Sequence, residues 1–107
     1  MRYAVDPKPG SDFYRWRLVA TNGRTVAVSK EWFYSQGSAR TAAMRFKSRC
    51  RTWNYEVYGD LKGIYRWRAK SSENQIIALC NGTFSSQFSA RNAASDVRDN
   101  GGTADGP

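Results

Sequence analysis

Aromatic or small residues alternate with basic ones in two segments of the chain, Tyr14 to Ala20 and Ile64 to Ser71. A period of two in an aromatic-rich sequence indicates a β-strand that is buried on one face only. The alternation predicts that Trp16 and Trp67 are equivalent core residues, and that the arginines beside them point to the opposite face.

Each of these strands is the middle one of three. The first half adds strand-like segments at 3–5 and 24–29, and the second half adds them at 55–58 and 75–79. Asn22-Gly23 separates two of these segments, and this pair favours a two-residue hairpin turn because both residues tolerate positive φ.

A helix is predicted after the third strand of each half, following Ser35 and Ser86. Ser38 and Ser89 are alternative N-caps. Each helix carries an apolar stripe at helical spacing, which predicts packing on a sheet; the stripes are Ala39, Ala42, Ala43, Phe46 and Cys50, and Ala90, Ala93, Ala94 and Val97. The first helix is expected to reach about Arg51, and Asn100-Gly101-Gly102 is expected to end the second.

The two halves are copies of one another. Residues 14–47 and 65–98, compared at a shift of 51, are identical at thirteen of thirty-four positions. The duplication predicts an α+β fold in which two tandem βββα repeats, about 2–51 and 53–100, form one antiparallel sheet. Both helices are expected on one face, each covering strands of the other repeat. Residues 1–100 are predicted to be a single domain, and residues 101–107 a disordered tail.

The charge is concentrated in the first repeat. The chain has 17 Lys and Arg against 9 Asp and Glu, a net charge of +8. Residues 1–51 account for all of it, since residues 52–107 hold six basic and six acidic side chains. The imbalance predicts an anionic partner for one face, or else reflects an Arg-rich composition that only solvates the surface.

The remaining composition bears on where in the cell the protein is expected and on the state of its cysteines. With a mean hydropathy of −0.70 and no long apolar run or signal-like segment, we expect a cytoplasmic protein that does not enter a membrane. Cys50 and Cys80 occupy non-equivalent positions in the repeats, which favours two reduced thiols over a disulfide. Both a monomer and a homodimer are compatible with the sequence.

The side chains offer little for catalysis. Histidine is absent, the carboxylates lie mainly in turns and the tail, and no phosphate-binding loop is present. We therefore expect no enzyme, no metal, no cofactor and no small-molecule substrate.

The basic residues are the candidate binding site. If the tryptophans face the helices, the strand arginines share the outer face of the sheet, with the small residues Thr25, Ala27 and Ala78 between them. The first helix adds a second basic group. The candidates are Arg15, Arg17, Arg66 and Arg68 on the sheet, and Arg40, Arg45, Lys47 and Arg49 on the helix. They predict a module that grips duplex DNA, or one that docks its basic half on an acidic protein. Alternatively, the strand arginines pair with cross-strand carboxylates.

Several short motifs stand out along the chain: Tyr55-Glu56-Val57-Tyr58, Tyr65-Arg66-Trp67-Arg68, Ala20-Thr21-Asn22-Gly23 followed by Val26-Ala27, and the helix starts Phe33-Tyr34-Ser35 and Phe84-Ser85-Ser86. With these motifs the chain resembles the YegP-like family of small bacterial and archaeal proteins. The resemblance spans roughly residues 2–98 and implies strands merged into one sheet, with each helix packed across onto the partner unit. The helices differ from the family pattern at Ala42-Ala43 and Phe46-Lys47. No activity is implied.

A second likeness concerns the arginine-bearing strand 64–69 and the helix start at 84–94. These segments are similar to the three-stranded DNA-binding domains of plant ethylene-response proteins and of phage recombinases. That likeness implies a sheet laid in the major groove and read by strand arginines.

Overall fold

The computed structural model describes all 107 residues. The first half consists of β1 (Arg2–Pro7), β2 (Tyr14–Val19), β3 (Thr25–Ser29) and α1 (Gln36–Ser48). The second half consists of β4 (Asn54–Gly59), β5 (Tyr65–Lys70), β6 (Ile76–Cys80) and α2 (Gln87–Asn100), followed by a 3₁₀ turn at Gly101–Thr103. Neither helix is both long and apolar enough to cross a membrane.

All six strands form one antiparallel sheet in the order β1-β2-β3-β6-β5-β4. At its centre β3 pairs with β6, and Val28 lies opposite Leu79. These two residues hold the same place in their repeats, so a pseudo-two-fold axis passes between them. The predicted α+β fold with a single sheet is confirmed.

Both helices cover the same face of the sheet. Trp16 and Trp67, with 1% and 0% of their surface exposed, lie beneath them in one core, as predicted. The N-caps are Ser35 and Ser86, whose hydroxyls accept hydrogen bonds from the backbone N–H of the residue three positions later at 3.0 Å.

The expectation that each helix covers the strands of the other repeat is wrong. Helix α1 packs on β1 and β2, whereas α2 packs on β4 and β5 and also touches β3. Apart from the contact of α2 with β3, it is the chain following each helix that reaches the other repeat. The Tyr3 hydroxyl donates to the Gly101 carbonyl at 2.9 Å, and the Tyr55 hydroxyl donates to the Cys50 carbonyl at 2.7 Å.

The predicted disorder of residues 101–107 is also wrong. The Tyr3 N–H donates to the Asp105 carbonyl at 2.8 Å, the Asp105 N–H donates to the Met1 carbonyl at 3.0 Å, and Ala104 is 4% exposed. Residues 101–105 occupy the place that residues 50–54 hold in the first repeat. Their small, polar sequence concealed this because the residues that bury them belong to the first repeat.

Candidate anion-binding surface

The strand arginines lie on the outer face of the sheet, away from the helices. Arg17 stands opposite Val28, and Arg68 stands opposite Leu79. The residues between them differ from the prediction, because Ala27 and Ala78 belong to the buried core at 0% exposure. Pairing within the sheet places Val28 and Leu79 on the outer face instead.

Three of the basic side chains on this face have acidic partners. Arg17 forms an ion pair with Asp6 and donates to the Thr25 hydroxyl at 3.1 Å. Arg68 and Lys70 share Glu56, with 3.1 Å between Lys70 Nζ and Glu56 Oε2. Hydrogen bonds from these two cations hold the pKa of Glu56 below its ordinary value. Cross-strand ion pairs therefore neutralise much of the positive charge on this face.

Arg15 is held in place by an aromatic ring. Its guanidinium carbon lies 4.1 Å from the centre of the Trp32 ring, and Nη2 donates to the Ser29 carbonyl at 3.1 Å. Partial burial lowers the pKa of Arg15, and its Nε has no hydrogen-bond partner. Arg66 is the one sheet candidate that makes neither an ion pair nor a side-chain hydrogen bond.

The helix candidates lie on the other side of the sheet. Because α1 covers the face opposite to the strand arginines, the fold does not bring the eight predicted residues together. The chain has no Asp or Glu between residues 32 and 55, so α1 and its flanks carry only positive charge. The candidate surface consists of two separate basic regions.

The basic residues of α1 divide between its two flanks. On one flank Arg40 donates to the Pro107 carbonyl at 3.2 Å, and Lys47 donates to the Gly106 carbonyl at 2.9 Å. On the other flank Arg45 and Arg49, one helical turn apart, are exposed and form no ion pair or side-chain hydrogen bond. These two guanidinium groups are free to bind an anion.

Arg45 and Arg49 border a depression that we call the α1 groove. It joins two clefts of about 440 Å³ each, which share Arg45, Gln75 and Ile77. The apolar end is lined by Trp16, Phe33, Ala42, Phe46, Ile76 and Ile77, with Lys30, Glu31 and Asn74 beside them. The polar end is lined by Arg49, Thr52, Trp53, Ser71, Ser72 and Glu73.

The second repeat contains a counterpart of the polar end. That cleft, of about 470 Å³, includes Asp96 and Asn100, which stand where the first repeat has Arg45 and Arg49. Ala104 replaces Trp53 there. The duplicated site has therefore diverged in charge while its backbone frame has been kept.

The groove was only partly anticipated from the sequence. Arg45 and Arg49 were candidates, but the residues of the β5–β6 turn that face them were not. One available signal was the change from Arg45 to Asp96 at the shift of 51, within otherwise similar helices. The turn could not be assigned to the site because its approach to α1 is set by the tertiary fold.

The two cysteines are free thiols. Cys50 is 2% exposed, and its sulfur lies 3.4 Å from the Tyr55 hydroxyl and 3.2 Å from the Val97 carbonyl. Burial raises the pKa of Cys50 and of both neighbouring tyrosines, Tyr3 and Tyr55. This cluster is a protonated, buried contact between the repeats. No three His, Cys, Asp or Glu side chains come together in the chain.

Two consecutive βββα units that share one six-stranded antiparallel sheet define the structural class of this protein. The solution NMR structure of the UPF0339 protein SO3888 from Shewanella oneidensis is similar, with a TM-score of 0.77 and 20% identity over 97% of this chain and 86% of that one. YegP from E. coli, a protein of unknown function, gives a TM-score of 0.75 and 23% identity over 97% of this chain and 88% of that one. Comparison of the sequence with protein-family models and with curated proteins gives no match. The single merged sheet implied by the resemblance to the YegP-like family is confirmed, whereas the implied packing of each helix onto the other unit is not. At these identities the likeness concerns the fold alone.

Proposed function

We propose that this protein is a small, non-enzymatic binding module that docks its basic first repeat on an acidic protein. The observation that carries the proposal is the pair of unpartnered guanidinium groups, Arg45 and Arg49, beside an apolar depression. Protein interfaces commonly combine an apolar centre with charged groups at the rim.

Duplex DNA is the competing partner, and the contacts on the sheet favour it less. Readout by strand arginines needs side chains that are free to reach base edges and phosphates. Arg17 and Arg68 are instead engaged with Asp6 and Glu56, and Arg15 rests on Trp32. Of the candidate residues, only Arg66 on the sheet and those of α1 remain for a duplex, and the apolar neighbours of α1 contribute nothing to phosphate binding.

The test compares two double variants that remove the same charge. Arg45→Gln with Arg49→Gln changes the α1 flank, and Arg24→Gln with Arg91→Gln changes exposed arginines elsewhere. The probes are fluorescein-labelled polyglutamate and a labelled 20-base-pair duplex, measured by fluorescence anisotropy across a salt series. We expect the α1 variant to weaken polyglutamate binding about tenfold, from roughly 0.7 kcal/mol for each of the two lost contacts. The control variant should change it less than twofold.

Equal losses in both variants would overturn the proposal, because they would show a response to net charge alone. Tighter binding of the duplex than of polyglutamate at every salt concentration would favour the nucleic-acid alternative. In that case log affinity should fall with log salt by about 0.9 for each phosphate neutralised.

A further inference from the structure

We infer that the α1 groove takes an extended acidic peptide segment that inserts one apolar side chain as an anchor. The inference rests on the proposed function and adds the chemical form of the partner. The inference rests on the two ends of the groove, one apolar and one polar, which adjoin each other along one flank of α1.

The apolar end is suited to a single aliphatic or aromatic side chain. Phe33 and Ile77 are only partly buried and pack against the core, while Ala42 leaves room between them and the helix. Burying a Leu or Phe side chain in such a site tightens a complex by roughly 10- to 150-fold. A simple anion would leave this end unused.

The polar end is rich in hydrogen-bond donors. Arg45 and Arg49 offer guanidinium N–H groups that have no acceptor within the fold, and the Ser72 hydroxyl has no partner either. Two carboxylates also face the groove, Glu31 at the apolar end and Glu73 at the polar end. With Lys30 included, three cations stand against two acids, so the groove keeps a net positive charge that attracts an acidic ligand, most strongly where its carboxylates lie near the arginines.

The length of the groove indicates an extended segment rather than one side chain. Its two clefts together exceed the space that a single residue fills, and they meet at Arg45. In an extended chain, residues two apart lie about 6.6 Å from each other and point the same way. One residue can then fill the apolar end while a carboxylate two positions later reaches Arg45 or Arg49.

The second repeat provides a natural negative control. Asp96 and Asn100 stand in place of the two arginines, and α2 lies closer to the sheet centre because it touches β3. An acidic peptide would meet repulsion there instead of guanidinium donors. The groove is thus a property of the first repeat, although both repeats share the same backbone plan.

The experiment uses two nine-residue peptides of alternating Glu and Asp that differ only at the centre, one with Leu and the other with Ser. Binding to the full chain is measured by isothermal titration calorimetry, and the site is located from amide chemical-shift changes. We expect the Leu peptide to bind at least tenfold more tightly, which corresponds to the lower part of the burial range. The shifted amides should include residues 71–77.

Two variants separate the anchor from the charges. Ala42→Leu fills the apolar end and should abolish the difference between the peptides, whereas Ala93→Leu, at the equivalent position of α2, should leave it intact. Melting temperatures of both variants show whether each is folded. Should Ala42→Leu fail to fold, Ile77→Ser serves as the second variant, since it removes apolar contact at the same end.

The possible outcomes distinguish failure of the inference from failure of the proposed function. If both peptides bind equally and Arg45→Gln with Arg49→Gln abolishes both, the anchor is wrong while the proposed function stands. If neither peptide binds but polyglutamate does, the short segment with an apolar anchor is wrong while the proposed function stands. If nothing acidic binds, both proposals fail together.

Discussion

At the residue scale, the role of each arginine depends on the side chain that faces it. Arg17 and Arg45 are both partly or fully exposed cations of the first repeat, yet Arg17 is paired with Asp6 and Arg45 is free. The alternation in β2 predicts which face Arg17 occupies. It does not predict its partner, because Asp6 comes from the neighbouring strand and its position depends on the register of pairing.

Gly101 provides a sharp test of the contact between the repeats. A Cβ atom at this position would lie 2.5 Å from Cys50 Sγ, so Gly101→Ala forces a shift in a buried region. We expect a loss of about 1–3 kcal/mol in the free energy of unfolding, measured in urea. Gly102→Ala, whose Cβ would meet nothing nearer than 3.6 Å, should cost little.

The close approach between residue 101 and Cys50 can also be relieved by shortening the cysteine side chain. In a Cys50→Ala background the sulfur is gone, and Gly101→Ala should cost clearly less than in the native chain. A cost that is unchanged in this background would show that Cys50 is not the obstacle.

At the scale of elements, the sequence predicted which segments form strands and helices better than it predicted where the helices pack on the sheet. Period-two alternation and the alanine stripes predicted six strands and two helices close to their observed positions. The placement of each helix over its own strands was not predicted, because an apolar stripe shows only that a helix packs. The 3₁₀ turn was missed, since Gly101-Gly102-Thr103 carries no apolar pattern of its own.

The pairing of β4 with β5 predicts how stability depends on pH. Hydrogen bonds from Arg68 and Lys70 lower the pKa of Glu56 in the folded state. Its stabilising effect is therefore complete above the unfolded pKa of about 4.3 and is lost as the pH falls through the lower folded value. The melting temperature of the native chain should fall more steeply below about pH 4.3 than that of Glu56→Gln.

Glu73→Gln serves as the control for this prediction because Glu73 makes no ion pair. Its melting curve should follow the native chain across the whole acid range. If Glu56→Gln and the native chain lose stability in parallel, the ion pairs on the outer face contribute nothing measurable.

At the scale of the whole molecule, a nearly symmetric frame carries an asymmetric surface. The pseudo-two-fold axis relates strands, helices and even the two crossing tyrosines, while the net charge of +8 stays in the first repeat. The sequence revealed this imbalance and predicted that the sheet separates the strand arginines from those of the helix. It did not reveal that Arg17 and Arg68 are paired with acids while Arg45 and Arg49 are free.

The C-terminal segment should contribute to stability of the whole chain. Ending the chain at Asn100 removes the acceptor of the Tyr3 hydroxyl and the buried Ala104. Leaving a buried hydroxyl unsatisfied costs about 1–3 kcal/mol, so the urea midpoint should fall measurably. Removing only Gly106 and Pro107, whose contacts to Lys47 and Arg40 are exposed, should change it little. An unchanged midpoint for the longer deletion would show that residues 101–105 add nothing.

The position of residues 101–105 also shows how the two units follow one another in the fold. Asp105 lies beside Met1 and Arg2, where the segment 50–54 enters the second repeat in the other half of the molecule. The two units therefore follow each other head to tail around the pseudo-two-fold axis. A chain with residue 107 linked to residue 1 and opened between Arg51 and Trp53 would trace the same path, so either unit could come first.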